Sequence, residues 1–216
     1  REHKIMRRLL EVLWKYRHPV AVVTKGTLIE RDADILGEMG RLGLARAGIS
    51  ITTLDRHLAR LMEPRVPPPE RKLKTIKLLS DAGCPVRILA SPIVPALTDH
   101  ELEAILERGA EAGAVAASSI MLRLPREVAP LFREWVETHF PDRAARIMGR
   151  VRDLHGGKDY DAQWGKRMTG EGPFAALIAQ RFAIATKRLG LARKLPPLRC
   201  DLFRCPTQNG DQLSLF

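Results

Sequence analysis

Apolar residues recur along this chain in two alternating patterns, one spaced as on an amphipathic helix and one continuous as in a buried strand. The predicted strands are Val20–Val23, Ala45–Ile51, Val86–Ala90 and Ala114–Leu122. The predicted helices before them span residues 1–16, 32–42, 69–82 and 98–113. Residues 52–69 are predicted to form a long polar loop, and Thr98 with Glu101 to form a capping box at a helix start.

Three of these helices are predicted to stop at a glycine, and each glycine is followed by an apolar strand. The glycines are Gly43, Gly83 and Gly113, and glycine adopts the left-handed conformation that ends a helix at low cost. Repeated helix–strand units of this kind indicate βαβ connections, which are right-handed and give parallel sheets. The sequence therefore predicts an α/β fold with a parallel sheet or part of a barrel.

After Pro125 the pattern changes to helices, predicted over residues 128–136, 142–154 and 174–190. Residues 155–172 are rich in glycine and charge and are predicted to form a loop. We therefore predict a partial (β/α) barrel over 1–124, a helical extension over 125–193 and an irregular tail over 194–216.

The charge of the chain suits a polyanionic partner. Thirty-six Lys and Arg against 25 Asp and Glu give a net charge of +11, which fits DNA or RNA, and an arginine-rich composition explains it equally well. No apolar run approaches the roughly 20 residues that cross a bilayer, so no membrane partner is expected. Three cysteines are too few for a disulfide framework, which favours a cytoplasmic location.

Several polar residues lie where parallel-sheet proteins place their chemistry, at strand carboxyl ends. Lys25 follows the first strand, where it can hold a carboxylate or phosphate or can be a solvated loop lysine. Ser50 lies in a buried run and needs either a backbone partner or a ligand. Arg87 and Arg123 make the mouth of a barrel cationic if they face it; otherwise they snorkel or pair with an acid such as Glu63.

The sequence predicts no metal site of its own. Cys200 and Cys205 are spaced more loosely than typical zinc ligands, and no second pair lies nearby. Cys84 follows a helix-ending glycine, which is typical of a small core residue. The six histidines show no metal-ligand spacing.

Four motifs occur in a specific order: VVTK ending at Lys25, RAGISIT around Ser50, EPR at 63–65 and AGxPVxILASPI over 82–93. Together they resemble the spore photoproduct lyase-like branch of the radical S-adenosylmethionine proteins. The motifs HGGKDY at 155–160, RMxGxGP at 167–173 and QLSLF at 212–216 are similar to one bacterial subgroup of that branch.

The resemblance implies a (β/α)6 radical SAM barrel, a relative of the TIM barrel, of which this chain carries the last four strands. It also implies that a 4Fe-4S cluster, reduced by an electron donor protein, reductively cleaves S-adenosyl-L-methionine (SAM) to a 5′-deoxyadenosyl radical. Carried over by position, Lys25 and Ser50 hold polar groups of the methionine or ribose of SAM. Ser91 is expected near the adenosine.

The chain departs from the family pattern in one large respect. The cluster-binding Cys-x3-Cys-x2-Cys run and the acidic motif after the second barrel strand are absent. The first two barrel strands are therefore expected to precede Arg1, and the 216 residues as given are expected to bind no cluster and to be inactive. The family name suggests DNA repair, but the substrate and the oligomeric state stay open.

Two other functions remain compatible with the sequence. The first is a basic α/β nucleic-acid-binding module without redox chemistry, for which the candidate contacts are Arg46, Arg56, Arg60, Arg65, Arg71 and Lys72. The second is a phosphate- or nucleotide-binding barrel fragment that uses Lys25.

Overall fold

The computed structural model describes residues 5–206, which form one parallel sheet with helices packed against it. The strands are β1 (Val20–Thr24), β2 (Ala45–Ile51), β3 (Val86–Ile93) and β4 (Ala116–Met121). They pair in the order β1-β2-β3-β4, and every neighbouring pair is parallel. Sequential parallel order is the arrangement of a barrel segment, which confirms the predicted α/β fold with a partial parallel barrel.

Eight helices accompany the strands in the described part of the chain. They are α1 (Ile5–Lys15), α2 (Ala33–Arg41), α3 (Arg56–Met62), α4 (Pro69–Asp81), α5 (Leu102–Glu111), α6 (Val128–His139), α7 (Ala144–Asp153) and α8 (Gly172–Arg188). Gly43, Gly83 and Gly113 have φ values of 72°, 92° and 97°, so the predicted glycine stops are confirmed. No helix in the described part of the chain combines the length and the hydrophobicity that a membrane-spanning segment needs.

The two faces of the sheet differ in character because successive side chains of a strand point to opposite sides. On the helix-covered face, Ile49, Ile51 and Ile88 are fully buried in the main apolar cluster. The other face carries Arg46, Gly48, Ser50, Arg87, Leu89 and Ser91 and lines two cavities. This polar face is therefore the inner face of the partial barrel.

The helical extension builds a second apolar cluster at the carboxyl ends of the strands. Val94, after β3, and Leu122, after β4, pack there with Val136 of α6 and Ile147 of α7. Helix α8 belongs to the main cluster instead, and its Arg181 Nε donates to Glu103 Oε1 of α5 at 2.7 Å. Helices α6 and α7 thus pack against the end of the sheet where functional side chains are expected.

Two local predictions are wrong. The predicted loop over 52–69 contains helix α3, which Asp55 caps by accepting a hydrogen bond from the Leu58 N–H at 2.8 Å. The capping box at Thr98 does not form, because the Thr98 hydroxyl accepts from the Val94 N–H at 2.9 Å. Glu101 instead accepts a hydrogen bond from the Thr53 hydroxyl at 2.7 Å, which ties the start of α5 to the loop after β2.

Helix α1 is amphipathic as predicted, but most of its apolar stripe is uncovered in the described structure. Leu10 is buried, whereas Ile5 is 69% exposed, Leu9 47% and Val12 52%. Residues 194–206 form neither helix nor strand, and the Arg199 N–H donates to the Gly43 carbonyl at 3.0 Å. The QLSLF motif at 212–216 lies outside the described residues.

Candidate functional site

A cavity of about 440 Å³ opens on the inner face of the sheet at the carboxyl ends of the strands. Lys25, Ser50 and Ser91, the three predicted site residues, all line it, together with Arg123. Its volume lies within the range of about 300–1,000 Å³ that small-molecule sites occupy. The structure therefore brings the predicted residues together in one hollow.

Lys25 lies just after β1 and is held by an acidic residue that sequence reasoning did not assign to it. Its ammonium forms an ion pair with Glu63, which follows α3. Glu63 also accepts from the Lys72 ammonium at 2.8 Å, and the side chains of Glu63 and Lys72 are only 10% and 4% exposed. One buried carboxylate thus pairs with two ammonium groups.

Burial and pairing determine the pKa values in the triad formed by Lys25, Glu63 and Lys72. Burial alone would raise the pKa of Glu63, but hydrogen bonds from Lys25 and Lys72 outweigh it, so the pKa lies below its ordinary value of 4.5. Burial lowers the pKa of Lys72, and the pairing with Glu63 offsets part of that effect. Because one carboxylate faces two ammonium groups, the ionised triad carries a net positive charge at the cavity.

Ser50 and Ser91 meet through the backbone of β3. The Ser50 hydroxyl donates to the Ser91 carbonyl at 2.8 Å, and the Thr52 hydroxyl donates to the same oxygen at 3.2 Å. Of the two alternatives predicted for Ser50, a backbone partner or a ligand, the structure shows a backbone partner. The Ser91 hydroxyl is buried and has no hydrogen-bond partner among residues 5–206, which is unusual for a buried polar group and points to a ligand.

The two arginines of interest lie at different levels of the sheet. Arg123 lines the cavity, and its Nη2 donates to the Tyr160 hydroxyl at 3.3 Å. Arg87 lies nearer the amino end of β3, where its Nη1 donates to the Ala117 carbonyl at 2.8 Å. Burial and the neighbouring Arg46 lower the pKa of Arg87. Neither Arg87 nor Arg123 pairs with Glu63, and of these two arginines only Arg123 adds positive charge to the cavity.

Four of the six basic residues considered for a nucleic-acid surface are engaged in other contacts. Lys72 is buried on Glu63, so its assignment to an exposed surface is wrong. Arg71 donates to Glu30 at 2.6 Å, and Arg46 on the inner face donates to the Pro196 carbonyl at 3.4 Å. Arg56 lies 3.7 Å from Glu70, which weakens its case further.

The cysteines of the described chain do not form an iron–sulfur site. Cys84 is buried, and burial raises its pKa to about 11, as expected of a core thiol. Cys200 and Cys205 are exposed. Within residues 5–206 no group of three or more His, Cys, Asp or Glu side chains is placed to hold a metal ion. Since Fe–S clusters are held mainly by sets of cysteine thiolates, these residues do not fit a 4Fe-4S cluster.

SAM, in contrast, suits the cavity. The Lys25 ammonium offers a partner for a carboxylate, and the unpartnered Ser91 hydroxyl offers one for a polar group. Leu89, Pro92 and Ile120 add apolar surface to the lining. A ligand with a charged end and a flat heterocycle matches this mixture of groups.

Comparison with known proteins gives the family. Residues 3–109 match the Radical SAM superfamily. An uncharacterised protein of Mycobacterium tuberculosis (strain ATCC 25618 / H37Rv) is 28% identical over 139 residues, which are 63% of this chain and 40% of that protein. An uncharacterised protein of Acidianus two-tailed virus is 31% identical over 74 residues, which are 34% of this chain and 24% of that protein. The chain thus spans less than half the length of these relatives.

Among solved structures, a mutant of spore photoproduct lyase superposes with a TM-score of 0.59 at 14% sequence identity. The match covers 86% of this chain and 54% of that one. The shared arrangement of strands and helices therefore extends well beyond residues 3–109, the part that matches the family by sequence. This chain belongs to the radical SAM superfamily and has a spore photoproduct lyase-like fold.

Proposed function

We propose that the cavity binds SAM and that the chain is the carboxyl-terminal part of the catalytic barrel of a radical SAM enzyme. The observation that carries this proposal is the convergence of Lys25, Ser50 and the unpartnered Ser91 hydroxyl on one hollow at the strand ends. In this proposal Lys25 and Ser50 hold polar groups of the methionine or ribose. Ser91 then contacts the adenosine part.

The chemistry of the family also calls for a 4Fe-4S cluster, which would supply the electron for reductive cleavage of SAM, and for an electron donor protein, which would reduce the cluster. The described residues do not supply cluster ligands. We therefore assign to this chain the binding and orientation of SAM and of the substrate.

Within that assignment, Glu63 keeps Lys25 in place for the ligand. A lysine ammonium has three N–H donors, and Glu63 takes one of them, which leaves the others for a ligand carboxylate. Because Lys72 helps to compensate Glu63, the triad retains the positive charge that attracts an anionic group. Fixing a flexible lysine before binding reduces the entropy that is lost on binding.

Binding of S-adenosylhomocysteine, a stable analogue of SAM, tests the proposal. We expect titration of the chain to shift NMR signals of the Ser50 and Ser91 amides. Lys25→Ala should weaken binding about tenfold or more, because a charge-assisted hydrogen bond is lost. Lys74→Ala, an exposed lysine of α4, is the matched control and should bind as the wild type does. No shift in the wild type, or equal binding by Lys25→Ala, contradicts the proposal.

For the substrate we propose nucleic acid. The net charge of +11 supports this class, as do Arg60 and Arg65, which form no ion pair within the described structure. Affinity for single-stranded DNA and RNA should fall steeply with added salt, because binding to phosphates releases counterions. Absence of binding at low salt contradicts this part of the proposal and leaves SAM binding untouched.

A further inference from the structure

We propose that Arg123, positioned by Tyr160, binds an oxyanion of the substrate, a phosphate or a carboxylate, on the side of the cavity away from Lys25. The inference rests on the proposed function, because it assigns to the substrate the part of the cavity that SAM does not use. Lys25 follows β1 and Arg123 follows β4, the outermost strands of the described sheet, so the cavity reaches across the sheet between them.

Arg123 has donors that nothing in the described chain satisfies. Its Nη2 donates to the Tyr160 hydroxyl at 3.3 Å, and the Tyr160 ring lies 6.0 Å from the guanidinium carbon. Its Nε is buried and has no hydrogen-bond partner within residues 5–206. A buried donor without a partner is costly, which favours a ligand that accepts from it.

The charge of Arg123 is also unmatched. Lys25 is paired with Glu63, whereas Arg123 forms no ion pair with any described residue. Asp159 precedes Tyr160 in sequence, but it is paired with Arg133 and lies 2.8 Å from the Arg152 Nε. Of the two cations at the cavity, Arg123 is therefore the one without a carboxylate.

The loop from His155 to Tyr160 holds Tyr160 in place for this contact. His155 is buried, and its ring packs edge-on against Tyr160 with centroids 5.9 Å apart. The Gly157 N–H donates to the Arg152 carbonyl at 2.9 Å, and the two arginines on Asp159 anchor the end of the loop. Burial opposes ionisation of Asp159, but the hydrogen bonds from Arg152 and Arg133 outweigh it and lower the pKa. The helical extension thus fixes the direction of a guanidinium that lines the cavity.

An oxyanion fits these donors because a guanidinium presents a planar fork of N–H groups that matches phosphate and carboxylate. The residues assigned to SAM follow or lie in β1, β2 and β3, whereas Arg123 follows β4. This separation assigns the oxyanion to the substrate.

The test uses the whole chain, with inorganic phosphate and acetate as separate probes and NMR of the arginine Nε–H signals as the readout. We expect at least one anion to shift the Arg123 Nε–H signal, and the probe that binds identifies phosphate or carboxylate as the group. Arg123→Gln should weaken that binding about tenfold or more. Tyr160→Phe, a milder change, should weaken it by a smaller factor. Arg146→Gln, an exposed arginine of α7, is the matched control and should leave it unchanged.

The outcomes separate this inference from the proposed function. Anion binding that falls in Arg123→Gln, with unchanged affinity for S-adenosylhomocysteine, supports the inference. It is overturned if neither anion shifts the Arg123 signal, or if Arg123→Gln and Tyr160→Phe bind both anions as the wild type does. It is also overturned if Arg123→Gln loses S-adenosylhomocysteine, because Arg123 then belongs to the cofactor site and SAM binding stands.

Discussion

The Ser91 hydroxyl is buried without a hydrogen-bond partner among the described residues, and it lies beside a carbonyl that accepts two hydrogen bonds. An unsatisfied buried hydroxyl costs about 1–3 kcal/mol, so its removal relieves a penalty in the unliganded protein. We expect Ser91→Ala to leave the free energy of unfolding unchanged or to raise it, and to weaken S-adenosylhomocysteine binding. Urea unfolding and NMR titration measure the two effects.

Ser50→Ala is the comparison for that variant. It removes a hydroxyl that already donates to the Ser91 carbonyl, so we expect a loss of about 1 kcal/mol in unfolding free energy. If Ser91→Ala destabilises the protein as much as Ser50→Ala does, the Ser91 hydroxyl has a structural partner and the interpretation is wrong.

Glu63 is the residue on which the two lysines depend. Glu63→Gln leaves the buried Lys72 ammonium without a carboxylate, and breaking a buried pair in this way costs about 3–5 kcal/mol. Glu70→Gln removes the partner of an exposed pair at 3.7 Å and should cost less than about 1 kcal/mol. Chemical denaturation of both variants tests the difference, and similar losses would contradict a buried triad.

The same carboxylate gives the stability a pH dependence. The pKa of Glu63 is lower in the folded protein than its ordinary value of 4.5, so its contribution is fully present above that value. It is lost as the pH falls through the folded pKa, because the unfolded chain then takes up the proton first. We therefore expect the unfolding free energy to decline below about pH 4.5. The decline should be shallower in Glu63→Gln, and an equal slope in both proteins contradicts the assignment.

The sequence contained a signal for the burial of Lys72 but none for the pairing of Lys25 with Glu63. Lys72 lies four residues before Ile76 and seven before Leu79, so helical spacing places it on the buried stripe of α4. Its charge led to the wrong assignment to an exposed surface. The pairing of Lys25 with Glu63 joins residues 38 apart in sequence, and no local pattern specifies such a contact.

Among the elements, the close contact of α2 with the end of α4 makes a sharp prediction. A Cβ on Gly37 would lie 1.9 Å from the Ala82 carbonyl oxygen, so Gly37→Ala must push backbone apart. We expect a loss of about 1–3 kcal/mol in unfolding free energy. Gly149→Ala in α7 brings no described atom within 4 Å of the new methyl and should gain up to about 1 kcal/mol from helix propensity. Thermal unfolding of both variants checks this, and a stable Gly37→Ala protein would contradict the packing.

The elements that the sequence predicted well are those whose signals are local. Gly43 and Gly83 end helices through their own backbone freedom, and the apolar runs after them need no distant partner to be recognised. Helix α3 was missed because only seven residues form it and its cap, Asp55, lies in a polar stretch. The capping box does not form because Glu101 accepts a hydrogen bond from Thr53, and this tertiary contact outweighs the local preference for capping the helix.

For the whole molecule, the layout separates a helix-packed outer face from an inner face that holds the cavity, and the extension closes the strand ends. The sequence predicted the sheet and the helices that cover it, because the spacing of apolar residues and the positions of the helix-ending glycines determine them. It did not predict that the HGGKDY loop reaches Arg123, since that contact depends on how α6 and α7 pack on the ends of β3 and β4.

The uncovered stripe of α1 has a consequence for the behaviour of this chain in solution. Ile5, Leu9 and Val12 follow one another at helical spacing and are 69%, 47% and 52% exposed, and β1 pairs only with β2 within residues 5–206. Because exposed apolar patches and strand edges promote association, we expect the chain to self-associate as its concentration rises. Leu9→Glu should reduce association by placing a charge in the stripe. Leu131→Glu changes a 61% exposed leucine of α6 and should have no such effect. Sedimentation velocity across a concentration series measures both, and a monomer at every concentration contradicts the prediction.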